Sequence, residues 1–256
     1  MSRISEAFAR GKAMISFLPV GDPSLARTRE YMTELDRAGA DIIGLVLPSF
    51  RCGTDPGDNE ADDGSSSKME EVFEICASFR ARRKTPLAFM TCQDPIRCYG
   101  EEKFFHACRR SGIDGILIPD VSGEQEERLR ILARQNEVSW IPMLPAGVGE
   151  DIHGTTAKAD GFIYLTSAGN DQGGMRKENT ELTAVVREIR LITDTPAVVG
   201  FGIHTTDQAT LAARCSDGIV VGSIFANLIA RYGSHAAPHI YTYARMMKEA
   251  VRAAER

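Results

Sequence analysis

The sequence predicts an α/β protein, a single (β/α)8 TIM barrel spanning residues 1–256 as one domain. Three observations point there. Short apolar runs recur eight times, each is followed by a stretch of helical periodicity, and no linker divides the chain. Near-continuous apolar strands are what a parallel sheet covered on both faces requires, and their alternation with helices makes repeated βα units. A chain of 256 residues has room for eight of them. A doubly wound open sheet would use fewer strands and carry G-x-G-x-x-G after the first, and neither is seen.

The eight strands are read, in order, as "AMISFLPV" (13–20), "DIIGLVLP" (41–48), "PLAFMT" (86–91), "DGILIPD" (114–120), "SWIPMLP" (139–145), "DGFIYLT" (160–166), "PAVVGFG" (196–202) and "DGIVVG" (217–222). Amphipathic stretches between them, such as 25–39, 101–112 and 124–136, supply the helices. Several strand starts share a signature: "GADII", "GIDGILI", "ADGFIYL" and the related "SDGIVV". The Gly closes the preceding helix in a left-handed cap and the Asp turns the chain into the next strand. The terminal stretch "YTYARMMKEAVRAAER" packs outside the last unit.

Composition narrows the function classes. Net charge is −5 with a pI of about 5.6, and no basic cluster has the density of a nucleic-acid face. The densest basic stretch, "RARRK" (80–84), sits at a helix end, where it complements the dipole. No apolar window is long enough for a membrane span, and the N-terminus lacks a signal core. Six cysteines form no C-x-x-C pair, so a reduced, cytoplasmic chain is expected. The five histidines have no metal-ligand spacing, so no metal is expected.

A barrel of this type places its site at the C-terminal strand ends. The last three openings form the clearest constellation: Gly173 and Gly174 in "TSAGNDQGG", Gly200 and Gly202 in "GFGIHT", and Gly222-Ser223 at the start of a helix. Glycines let backbone N–H groups approach a ligand, and a helix N-terminus favours an anion, so these residues are expected to cradle a phosphate. Asp22 and Asp120 lie at strand ends, where each either faces the mouth or serves as a cap or turn residue. The acidic stretch 58–67 reads as a solvated loop, with Asp55, nearest the strand end, excepted. Tyr164 either lines the mouth or fills the barrel layer.

With these residues placed, the chain resembles the α subunit of tryptophan synthase over nearly its whole length. The matching motifs are "FLPVGDP" (17–23), "GADIIGLVLP" (39–48), "PLAFMTCQDPIRCYGEEKF" (86–104), "GIDGILIPDV" (112–121), "DGFIYLTS" (160–167), "TPAVVGFGIHTTDQA" (195–209) and "DGIVVGSIFANLI" (217–229). The resemblance implies a barrel that cleaves indole-3-glycerol phosphate to indole and glyceraldehyde 3-phosphate without a cofactor. It also implies a pyridoxal-phosphate (PLP)-dependent β subunit as possible partner. Such a retro-aldol step must move protons and steady charge on the ring nitrogen. The family's glutamate in strand two, which moves the protons, aligns with Gly44. Its ring-binding aspartate falls on Asp55, and its pocket tyrosine on Tyr164.

Other departures accompany Gly44. The family's "FSDPLADGP" loop has become "SFRCGTDPGDN", "TYYNP" has become "TCQDP", and loop six reads "SAGNDQG" with Gly173 on its last glycine. Asp94, after strand three and beside the vacated position, is the candidate proton shuttle. The expected site is therefore Asp55, Asp94 and Tyr164 for catalysis, with Gly173, Gly174, Gly202, Gly222 and Ser223 on the phosphate. Four readings stay open: an altered indole-glycerol-phosphate lyase, a lyase or isomerase for another phosphorylated substrate, a silent phosphate-binding partner of a β subunit, and a scaffold without ligand.

Overall fold

The computed structural model describes residues 2–48, 65–145, 151–166 and 174–255, with 65–67 and 174–181 described by backbone alone. A short α1 (Arg3–Phe8) precedes β1 (Ala13–Pro19), α2 (Leu25–Ala38), β2 (Ile42–Val46), α3 (Ser65–Arg80) and β3 (Leu87–Met90). The chain continues through α4 (Gln93–Tyr99), α5 (Glu101–Ser111), β4 (Gly115–Leu117), α6 (Gly123–Gln135), β5 (Ser139–Trp140) and β6 (Met143–Pro145). It ends with α7 (Ile152–Thr156), β7 (Ile163–Thr166), α8 (Gly174–Ile192), β8 (Ala197–Val199), α9 (Thr206–Cys215), β9 (Gly218–Val221), α10 (Ser223–Tyr232) and α11 (Ala237–Ala253).

Local chemistry explains where the helices stop and start. Ser24 accepts the Arg27 N–H to open α2, and Gly39 closes it at φ 96°. Gly112 closes α5 in the same left-handed way at φ 73°, a region that an L side chain rarely enters. Thr205 and Gln208 form a reciprocal capping box at the start of α9.

All strands pair in parallel, in the order β5-β4-β3-β2-β1-β9-β8-β7-β6. The stretch 139–145, expected as one strand, is split into β5 and β6. Pro142 cannot donate to a ladder, which explains the break. That stretch still closes the barrel. Ile141 N donates to the Ile116 carbonyl on one side, and the Pro142 carbonyl accepts from Tyr164 N on the other.

Side chains sort by strand alternation. Ala13, Ile15 and Phe17 of β1 point inward with Ile42, Ala88, Leu117 and Val198, while Met14 and Leu18 face the helix layer. Ile4 and Ala7 of α1 join the inner cluster and plug the N-terminal end.

That end is held by a recurring hook. Asp41, just before β2, accepts Met14 N of β1; Asp114, before β4, accepts Leu87 N of β3; Asp217, before β9, accepts Ala197 N of β8. Each acid also pairs with a cation: Lys248, Arg3 and Arg190 respectively. Cys76, Cys108 and Cys215 are free thiols, whereas Cys98 is disulfide-bonded, which corrects the expectation of a wholly reduced chain. Among the described residues no helix is long and apolar enough to cross a membrane, and no cluster could hold a metal ion.

Candidate functional site

A cavity of about 370 Å³ opens at the C-terminal ends of the strands. Its floor is apolar: Phe17, Val46, Met90 and Val220 project from β1, β2, β3 and β9. Its rim on one side is Gly202, Gly222 and Ser223, with Tyr164 and Ile203 between floor and rim. No carboxylate, amine, guanidinium or imidazole stands among the described lining residues. Among the described residues, an anion here would be met by backbone N–H groups and the dipole of α10.

The vacancy in the second strand is not empty. Phe17 stands directly opposite Gly44 in the β1–β2 register. A Cβ built on Gly44 would lie within 2.6 Å of three Phe17 ring carbons, Cγ, Cδ1 and Cε1. The aromatic ring thus occupies the space into which any side chain at position 44 would grow. Phe17 is 3% exposed and stacks on Tyr164 at 6.5 Å between centroids and 25° between planes. A second glycine serves the same layer. Gly200 lies under the Tyr164 ring, where a Cβ would come to 2.5 Å from Cζ and Oη. The Tyr164 hydroxyl donates to the Gly200 carbonyl at 2.9 Å. Burial pushes the Tyr164 phenol up to about 12, so it is neutral over the physiological range.

Tyr164 therefore both lines the mouth and fills the barrel layer. Gly202, at φ 64°, needs its glycine for backbone reasons and has open space on its Cβ side, as a residue facing a ligand should. Gly222 is the N-cap of α10 and Ser223 its first residue, exposed, with a hydroxyl that finds no partner among the described residues. The leading N–H groups of a helix have no intrahelical acceptor, and here they face the rim. Gly174 begins α8, while Gly173 and Asp55 lie outside the described residues.

The acids stand elsewhere. Asp94 occupies the first turn of α4, 2.9 Å from Arg97, and is not among the residues lining the cavity. Asp120 is spent as a cap: its carboxylate accepts the Gln93 N–H that opens α4, at 3.0 Å. Asp22 is exposed in the bend after β1 and lies off the lining. The residues that sequence reasoning missed are the apolar floor, above all Phe17. Inward alternation along "MISFL" could have placed it in the barrel, but its collision course with position 44 depends on strand register.

Fold and site together define a β/α-barrel protein with one apolar, glycine-rimmed cavity at the C-terminal strand ends. The chain belongs to the tryptophan synthase alpha chain family, whose model matches residues 5–254. It is 34% identical to the tryptophan synthase alpha chain of Citrifermentans bemidjiense over 242 residues, covering 91% of each chain. It is 32% identical to that of Novosphingobium aromaticivorans over 267 residues, covering 100% of this chain and 99% of the relative. A solved structure from Aquifex aeolicus, 26% identical, superposes with a TM-score of 0.80 over 98% of this chain and 99% of its own. The tryptophan synthase alpha chain of Legionella pneumophila, at 23% identity, shares the fold with a TM-score of 0.81 over 98% of both.

Proposed function

We propose that this chain is a tryptophan-synthase-α-like lyase with an altered acid–base set. It binds indole-3-glycerol phosphate, or a related phosphorylated substrate, in the barrel mouth and cleaves it by a retro-aldol step. The observation that carries the reading is the cavity itself: an apolar floor suited to a flat ring, beside a rim of Gly202, Gly222 and Ser223 suited to a phosphate. In this reading Gly173 and Gly174 complete the cradle. Tyr164, neutral and anchored to the Gly200 carbonyl, holds the ring in place. Asp55 accepts the ring N–H, and Asp94 moves the proton after leaving Arg97. No cofactor takes part, and a PLP-dependent β subunit is the partner that would receive the indole.

A second reading has its own support. Phe17 fills the space at position 44, and the described lining carries no titratable group other than Tyr164. General acid–base groups contribute about 10²–10⁴ in rate. A site without one would bind the phosphorylated ligand, alone or for the benefit of a β subunit, and leave it whole.

Indole release from indole-3-glycerol phosphate, by the protein alone and with a tryptophan synthase β subunit, separates the two. Turnover supports the lyase. No turnover with measurable glycerol 3-phosphate binding leaves the binding reading, and the loss of both removes the site.

A further inference from the structure

The opposite end of the barrel carries a second cavity, about 660 Å³, bounded by α1, the end of α3, the start of β2 and α11. In a chain of net charge −5 this cavity is cationic, with eight lysines and arginines in its wall against four carboxylates. Most of the carboxylates are already taken. Asp36 is held by Arg83 and Thr85, Asp41 by Lys248 and the Met14 N–H, and Glu255 by the Lys12 backbone N–H. The cations are in excess. Among the described residues Arg10, Lys12, Arg80, Lys84 and Arg252 enter no ion pair.

The "RARRK" segment is central to this. Arg80 lies in the last turn of α3, where it complements the dipole, but Arg80, Arg83 and Lys84 also line the cavity. Arg80 spends one N–H on the Thr85 carbonyl at 2.7 Å, which fixes its guanidinium against the wall. Lys12 is fixed likewise by the Ser216 carbonyl, also at 2.7 Å. Desolvation lowers the pKa of both, outweighing Asp217 and Glu255 near Lys12 and Asp114 near Arg80. Fixed cations from separate elements, converging on one concave space without enough carboxylates to pair them, are the arrangement that recognises a multiply charged anion.

We infer that the N-terminal mouth of the barrel is a binding site for a small polyanion bearing more than one phosphate group, separate from the cavity at the strand C-termini. The ligand sits between Arg80 and Lys84 on one wall and Arg10 and Arg252 on the other. Charge-assisted hydrogen bonds carry the recognition, so affinity falls as salt screens the exposed cations.

Calorimetric titration of the full chain with inorganic pyrophosphate at low ionic strength tests this. Two variants serve as arms: the double substitution Arg10→Gln/Lys84→Gln, at exposed side chains, and Ser223→Asp, which repels phosphate from the other mouth. Pyrophosphate should bind the unaltered chain and Ser223→Asp alike, and at least about tenfold more weakly to the double variant. Arg252→Gln, also exposed, should weaken binding in the same direction and guards against a folding defect in the first variant. Absence of binding to the unaltered chain overturns the inference. So does binding that the double variant retains, or binding that only Ser223→Asp abolishes.

Discussion

Replacing Gly44 by alanine tests whether Phe17 truly owns the space beside the second strand. Glycine inside a strand costs about 0.5–1 kcal/mol relative to alanine, so at an unobstructed position the change would stabilise. Here the new methyl meets three ring carbons within 2.6 Å. The ring cannot yield into Tyr164, on which it stacks, and turning it out of the barrel forfeits its burial, worth about 1.5–3 kcal/mol. Gly44→Ala alone should therefore destabilise by about 1–2 kcal/mol net, in the range of other overpacked cores. Phe17→Ala alone should cost about 3–5 kcal/mol. In the double variant the obstruction is gone, and the alanine at 44 regains its backbone advantage. The two changes should couple by about 1.5–3 kcal/mol, read from urea unfolding of the four proteins. Additivity within about 0.5 kcal/mol would refute the claim that the ring and position 44 compete.

Other outcomes follow from the same packing. The Tyr164 phenol titrates near 12 in the fold and near 10 in the unfolded chain, which therefore loses its proton first. Stability should fall as pH rises from 10 to 12, by about 1.4 kcal/mol per unit from this residue, and Tyr164→Phe should remove that share of the slope in urea midpoints. Gly200→Ala drives a methyl into the Tyr164 ring and should weaken glycerol 3-phosphate binding as well as lower the unfolding midpoint. Asp94→Asn should abolish cleavage while leaving glycerol 3-phosphate affinity within a few-fold; an unchanged rate removes Asp94 from the mechanism. Lys248, 6% exposed, neutralises Asp41 at the N-terminal end, so Lys248→Met should cost about 3 kcal/mol and Lys248→Met/Asp41→Asn distinctly less.

Much of the fold was legible because its signals are local. Gly39 and Gly112 end their helices in the left-handed conformation that "GAD" and "GID" implied. Tyr164, Gly202, Gly222 and Ser223, found from the ends of separate strands, meet at one cavity. What stayed hidden depends on partners distant in sequence. In three of the four strand-start signatures the Asp does more than turn the chain: Asp41, Asp114 and Asp217 each bind an N–H at the start of the preceding strand, 27 residues away for Asp41 and Asp114. Asp120 was poised between facing the mouth and serving as a cap until Gln93 proved to be its partner. Gly44 announced a missing side chain, yet nothing in its own segment named Phe17 as the occupant. "RARRK" reads as a helix end in one dimension and as one wall of a cationic chamber in three.

The divided fifth strand gives the barrel a seam. Every other strand meets its two neighbours through overlapping residues, but here Ser139 and Trp140 pair with β4 while Met143 to Pro145 pair with β7. The wall is handed across at Ile141 and Pro142, the first bonded to β4 and the second to β7. Trp140 is held on both sides, since its carbonyl accepts from Asp160 N while the residue pairs with Ile116 of β4. Pro142, which has no N–H, offers β7 its carbonyl alone.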